Sequence, residues 1–177
     1  AISVTDGAVT VTDSQTATLA ESAADGVTVM TVATSGDTPS LFSINSGNTG
    51  NLFAISNAGV ITVADNTGLN YESTTSYSLL ILATDLSTSD SSTVVISITD
   101  ADEFNVGSVT DSNGGANTMA ENVANDATVG VTAVATDADG TTNTITYTVT
   151  AQSCTSVFTV GSSTGIVAVA DNTAIDY

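Results

Sequence analysis

Internal repetition constrains this chain more than any other feature. Residues 2–6 read ISVTD and residues 96–100 read ISITD. AESAADG at 20–26 returns as AENVAND at 120–126, and VITVADNTGLNY at 60–71 returns as IVAVADNTAIDY at 166–177. The spacings are 94, 100 and 106 residues. A period of about 100 with short insertions is the size of one small sandwich domain. Residues 1–6 therefore read as the end of a preceding repeat. A complete repeat spans 7–105, and a second, truncated repeat spans 106–177.

Within each period the pattern alternates apolar and polar residues over short runs, the mark of strands with one buried face. The first repeat is expected to form seven strands: Thr18–Glu21, Thr28–Ala33, Leu41–Asn45, Leu52–Ser56, Val60–Ala64, Tyr77–Thr84 and Thr93–Thr99. The second is expected to form Thr128–Ala135, Asn143–Thr150, Val157–Val160 and Ile166–Ala170, two strands short of the first. Gly, Asn and Asp punctuate the turns at 57–59, 113–115, 139–140 and 162–165. Phe53, Tyr77, Tyr147 and Phe158 read as core filling, and no helix is expected. The fold class is thus all-β: tandem immunoglobulin-like sandwiches, the second incomplete.

The charge pattern narrows the function. There are 19 Asp plus Glu and no Lys, Arg or His, for a formal charge of −19. Nucleic-acid binding needs cations to displace phosphate counterions, so it is excluded. Attraction to anionic lipid is excluded for the same reason, and no apolar run is long enough to span a membrane. Catalysis by Ser-His-Asp, Cys-His or lysine chemistry has no residues to work with. A lone Cys154 and no His rule out the usual zinc sites and an internal disulfide. Cys154 reads as a small semi-buried residue. Disorder is not expected, because 41% of the residues are hydrophobic and only 11% charged. Ser and Thr, roughly a third of the chain, carry the solvation instead. A sparse, Thr-rich, Lys-free surface suits an extracellular repeat protein.

What remains is oxygen chemistry, and the acids bunch at repeat boundaries. Glu21 and Glu121 stand at equivalent points. Glu72 follows Asn70-Tyr71, whose counterpart is Asp176-Tyr177. Asp100, Asp102 and Glu103 lie between the repeats, and Asp137 and Asp139 frame a D-x-D-G element. Carboxylates brought together without a basic residue need protons or a metal. Calcium, with six to eight oxygen ligands and flexible geometry, is the natural ion, and magnesium dehydrates too reluctantly to compete.

The ordered motifs resemble a cadherin-type repeat, of the kind strung in tandem in very large bacterial surface and adhesin-like proteins. AEN at 120–122 and the weaker AES at 20–22 resemble the family's first-strand glutamate motif. DADG at 137–140 resembles its D-x-D motif. LNYE at 69–72 and IDY at 175–177 resemble its LDYE element. YSLLILATD at 77–85 resembles its Y-x-L-x-V-x-A-x-D strand, and TDADEF at 99–104 stands where the family has D-x-N-D-N. The resemblance implies Greek-key sandwiches with calcium bound between successive repeats. Carried over by position, the ligands are Glu21, Glu72, Asp100, Asp102, Glu103, Asp137 and Asp139, with Asn143 adding a backbone carbonyl. Asn70 replaces the family aspartate, and Glu103 is longer than the aspartate it replaces. Little or no calcium is expected at the joint before the first repeat, where only Asp85 matches. Glu121 and Asp176 would serve a joint further on.

The expected function is an extracellular or cell-surface structural and adhesive module, a rod stiffened by calcium. Its partners would be neighbouring repeats of the same protein, with homophilic contacts a further step. The alternative is a filament subunit in which one chain donates a strand to the next. An enzyme, most plausibly a two-carboxylate glycosidase, is not expected, since no Trp exists to wall a sugar cleft.

Overall fold

The alternating runs of the first repeat become nine strands, because each has a partner that satisfies its backbone and a neighbour that covers its apolar face. A computed structural model describes residues 7–141, 143–153 and 156–176. The chain divides into two compact units, Ala1–Ala101 and Asp102–Tyr177. Residues 1–6, Cys154 and Tyr177 lie outside the described residues, and so do the expectations placed on them.

The first unit holds β1 (Val9–Val11), β2 (Gln15–Ala20), β3 (Thr28–Thr31), β4 (Thr34–Gly36), β5 (Leu41–Ser46), β6 (Phe53–Ile55), β7 (Val60–Val63), β8 (Ser76–Thr84) and β9 (Ser89–Thr99). One sheet runs β2-β9-β8-β5 and a second runs β3-β7-β6, with β1 and β4 forming a two-stranded ribbon. The β8–β9 hairpin is antiparallel, and β2 lies parallel to β9 along its other edge. Both β8 and β9 alternate strictly: Tyr77, Leu79, Ile81 and Ala83 face inward, as do Val94, Ile96 and Ile98. They meet Phe53, Ile61 and Val63 of the facing sheet in one core. Phe53 and Tyr77 cross it edge to face, with ring centroids 5.3 Å apart, the geometry that aromatic quadrupoles favour.

The second unit holds β10 (Thr110–Asp111), β11 (Thr128–Val134), β12 (Phe158–Val160) and β13 (Ile166–Val169), ordered β10-β11-β13-β12 in one sheet. Val129, Val157 and Val169 are buried beneath it. The turn that precedes β13 reuses the first unit's device. Gly59 and Gly165 both take positive φ, +75° and +68°, which glycine adopts without steric cost. A Cβ at Gly165 would collide with the carbonyl oxygen of Ala133.

Three expectations need correction. β1, β4 and β10 are strands that their short sequences did not announce. Three short 3-10 turns form at Thr49–Asn51, Asn66–Gly68 and Asn172–Ala174, where no helical turn was expected. Asn143–Thr150, expected as a strand, forms none among its described residues. The reason is its partner. In the first unit β5 pairs with β8 and β2 pairs with β9. Residues 143–150 and 115–120, which correspond to β5 and β2, pair with no such ladder among the described residues, and an unpaired run does not hold strand geometry.

The core makes a direct prediction. Ile81 is fully buried, whereas Leu86 is fully exposed. Ile81→Ala should cost about 2–5 kcal/mol of stability, and Leu86→Ala less than about 0.5 kcal/mol. Urea unfolding of the two variants checks the contrast.

Candidate metal centre

With no cation in the sequence, each carboxylate must be met by N–H or O–H donors, by water or by a metal. The described acids divide on that basis. One set closes turns. Asp65 caps the 3-10 turn after β7, its Oδ1 accepting from the Thr67 N–H at 3.0 Å and from the Thr67 hydroxyl at 2.6 Å. Asp171 repeats this with Thr173 at 3.0 and 2.7 Å. Asp85 accepts from the N–H groups of Ser87 and Thr88, and Asp111 from those of Asn113 and Thr132. Each of the four titrates below the ordinary carboxylate range. For Asp65 and Asp171 the threonine hydroxyl is the main cause; for Asp85 and Asp111 the backbone N–H groups are. Donors aimed at the ionised form favour it.

A second set converges. Glu21, at the end of β2, is buried, with 5% of its surface exposed. Its Oε2 accepts from the Tyr71 N–H at 2.6 Å and its Oε1 from the Ala101 N–H at 2.8 Å. The Glu21 N–H itself donates to Thr99 at 3.1 Å. One side chain thus ties the ends of β2 and β9 to the Asn70–Glu72 turn. Carboxylate oxygens of Glu21, Glu72 and Asp100 lie within 4.8 Å of one another. Two unit charges 4 Å apart repel by about 1 kcal/mol in water and about 4 kcal/mol near a protein surface.

In the second unit the D-x-D-G element folds Asp139 inward, leaving 2% of its surface exposed. Its Oδ1 accepts from the N–H groups of Glu103 and Phe104 at 3.1 and 3.2 Å, and its own N–H donates to Asp137 Oδ1 at 3.3 Å. Its Oδ2 is buried with no hydrogen-bond partner among the described residues. A buried polar atom without a partner is costly, and an ion is one group that meets it. Asp137 is half-buried, while Asp102 and Asn143 are exposed. The Asn143 amide donates to the Gly140 carbonyl at 3.5 Å.

The eight residues expected from the sequence thus sort by unit. Glu21, Glu72 and Asp100 form one gathered group in the first; Glu103, Asp137 and Asp139 are linked through backbone donors in the second. What the sequence did not reveal is that Glu21 and Asp139 also hold the backbone around them. The donor set is entirely hard oxygen, which fits calcium and does not fit a softer metal.

Solved structures of similar fold come from cadherin ectodomains. The chain superposes on "Protocadherin Gamma B2 extracellular cadherin domains 3-6" with a TM-score of 0.77 at 21% identity, covering 93% of this chain and 43% of that one. Against mouse Cadherin-23 EC22-24 the TM-score is 0.65 at 24% identity, covering 93% and 54%. Against Drosophila N-cadherin EC1-4 it is 0.69 at 21%, covering 96% and 42%. The chain spans about half the length of these proteins or less. No protein-family model matches it, and no curated protein does. The fold is therefore that of cadherin-type immunoglobulin-like sandwiches. Among the described residues no helix is long and apolar enough to cross a membrane.

The turn acids give a pH prediction. The pKa of Asp65 in the folded chain lies below its unfolded value of about 3.9. Its contribution to stability is therefore complete above that value and is lost as pH falls through the folded pKa. Thr67→Val, which removes the hydroxyl donor, should raise the Asp65 pKa toward the ordinary range. Carboxyl-resolved NMR titration reads it; an unmoved midpoint would show that the hydroxyl is not the cause.

Proposed function

We propose that this chain is an extracellular, adhesive or structural repeat module that binds calcium and is stiffened by it. The observation that carries the reading is the gathering of Glu21, Glu72 and Asp100 in a chain without one basic residue. The buried Oδ2 of Asp139, without a hydrogen-bond partner among the described residues, supports it. Following the sequence resemblance, Asp102, Glu103, Asp137, Asp139 and Asn143 belong with that group as ligands where one repeat gives way to the next. The cadherin fold of the solved neighbours fits the reading, as do the sparse charge and the hydroxyl-rich surface.

The mechanism is linkage. An ion held by several carboxylates neutralises repulsion that the folded chain otherwise bears. It favours whichever arrangement presents all the ligands together, by mass action. Extracellular modules work with sites of about 0.1–1 mM, matched to the calcium outside cells. Neighbouring repeats of the same protein are then the first partners, and homophilic contact between chains would build on the stiffened rod.

The test is thermal unfolding in EDTA and across a calcium titration. Calcium at 100 times its dissociation constant should add about 2.7 kcal/mol. Glu72→Gln and Asp139→Asn should each reduce the shift. A midpoint unmoved up to about 10 mM calcium, beyond the range of extracellular modules, would overturn the calcium reading and leave the fold standing.

A further inference from the structure

The loop joining β10 to the segment before β11 carries a reactive pair that the calcium reading does not use. Asn113 is followed by Gly114, and it is the sole asparagine in the sequence followed by glycine. Both residues are exposed. The Asn113 side chain bends forward over its own backbone, its Oδ1 accepting from the Gly115 N–H at 2.8 Å. That bond polarises the side-chain carbonyl. Gly114 has no Cβ to hinder attack, and the space where one would stand is open.

We propose that Asn113 is a site of spontaneous covalent modification, in which its amide is converted to a carboxylate through a cyclic imide. The Gly114 nitrogen forms a bond to Asn113 Cγ, and the Cγ–Nδ2 bond breaks. Nδ2 leaves as ammonia, carrying away the proton that Gly114 N–H gives up. Water then opens the five-membered ring at either carbonyl. Attack at Cγ leaves aspartate; attack at the backbone carbonyl carbon leaves isoaspartate, with one more carbon in the main chain. The sum is asparagine plus water giving a carboxylic acid plus ammonia, with no redox partner.

The position gives the change a structural consequence. Asp111 is the hub of this loop: its Oδ1 accepts from the N–H groups of Asn113 and Thr132, both at 2.9 Å, and its Oδ2 from the Asn117 amide at 3.1 Å. Through Thr132 it ties β10 to β11. Modification at 113 places a second negative charge beside Asp111, and the isoaspartate form also lengthens the backbone between Asp111 and Gly115. The pairing of β10 with β11 loosens, and an uncatalysed reaction thereby records the age of an extracellular chain.

The experiment incubates the intact chain in mildly alkaline buffer and follows peptides by mass spectrometry. Digestion is by pepsin in acid, since the sequence offers no Lys or Arg for tryptic cleavage. Conversion of amide to acid should accumulate at Asn113 well ahead of Asn117 and Asn57. It should be lost in Gly114→Ala, a change the open site and the unstrained backbone admit. The Thr132 amide should exchange faster with deuterium in the aged chain than in the fresh one. Conversion at Asn113 no faster than at the other asparagines, or undiminished in Gly114→Ala, would overturn the site. Unchanged Thr132 protection after full conversion would overturn its structural consequence.

Discussion

The β8–β9 ladder is the pairing on which the other strands depend. It is nine residue pairs long, from Ser76↔Ser97 to Thr84↔Ser89. Its two outer edges receive β5 and β2, and its inner face supplies Leu79, Ile81, Val94 and Ile96 to the core. A strand gains order from a partner's hydrogen bonds and from burial of one face, and β8 and β9 provide both to their neighbours. Among the described residues of the second unit, 115–120 and 143–150 hold no strand. The strands that form there, β10 to β13, are those whose partners are present.

Charge is the second constraint, and it acts through donors. A chain carrying only negative charge cannot offset its acids with ion pairs. It uses short-range geometry: an aspartate followed two residues later by threonine or serine folds back onto the N–H of that residue. Asp65, Asp85 and Asp171 all do so. These acids shape turns. Glu21 differs in kind. It is buried, and its two oxygens already accept from Tyr71 and Ala101, yet each keeps a lone pair. Because those donors belong to different segments, the position of Glu21 is set by the fold before any ion arrives, which is the preorganisation a weak site needs.

Much of this was legible in the residues. The repeated ADNT stretch predicts a repeated turn, and the structure builds the same capped turn at Asp65 and at Asp171. The further match is that Asp25 and Asn125, at equivalent positions, accept from Asn66 and Asn172 at 2.7 and 2.8 Å. The alternation of 77–83 and 94–98 predicts the two central strands with their inward faces. The same alternation at 143–150 misleads, because period-two patterning states what a segment can bury and not whether a partner stands beside it. β1 and β4 were illegible for the opposite reason. Each is three residues long, too short to show a period, and they are fixed by the tertiary structure: the Val9 N–H donates to the Thr88 hydroxyl at 3.0 Å and the Val11 N–H to Asp90 Oδ2 at 2.8 Å.

For the candidate site, sequence named the acids but could not weigh them. Spacing alone treats Asp102 and Asp139 as equals, since both sit in D-x-D-like elements. Folding separates them: Asp102 remains exposed, while Asp139 turns inward to hold the Glu103 and Phe104 N–H groups. That leaves one oxygen of Asp139 buried and unpartnered among the described residues, and a carboxylate in that condition is under more demand for a cation than a solvated one. The same argument ranks the first unit's group. Glu72 is exposed, whereas Glu21 cannot be removed without freeing two backbone donors. An ion bound there would act on groups that already decide where β2, β9 and the Asn70–Glu72 turn end, so binding and rigidity would share the same atoms.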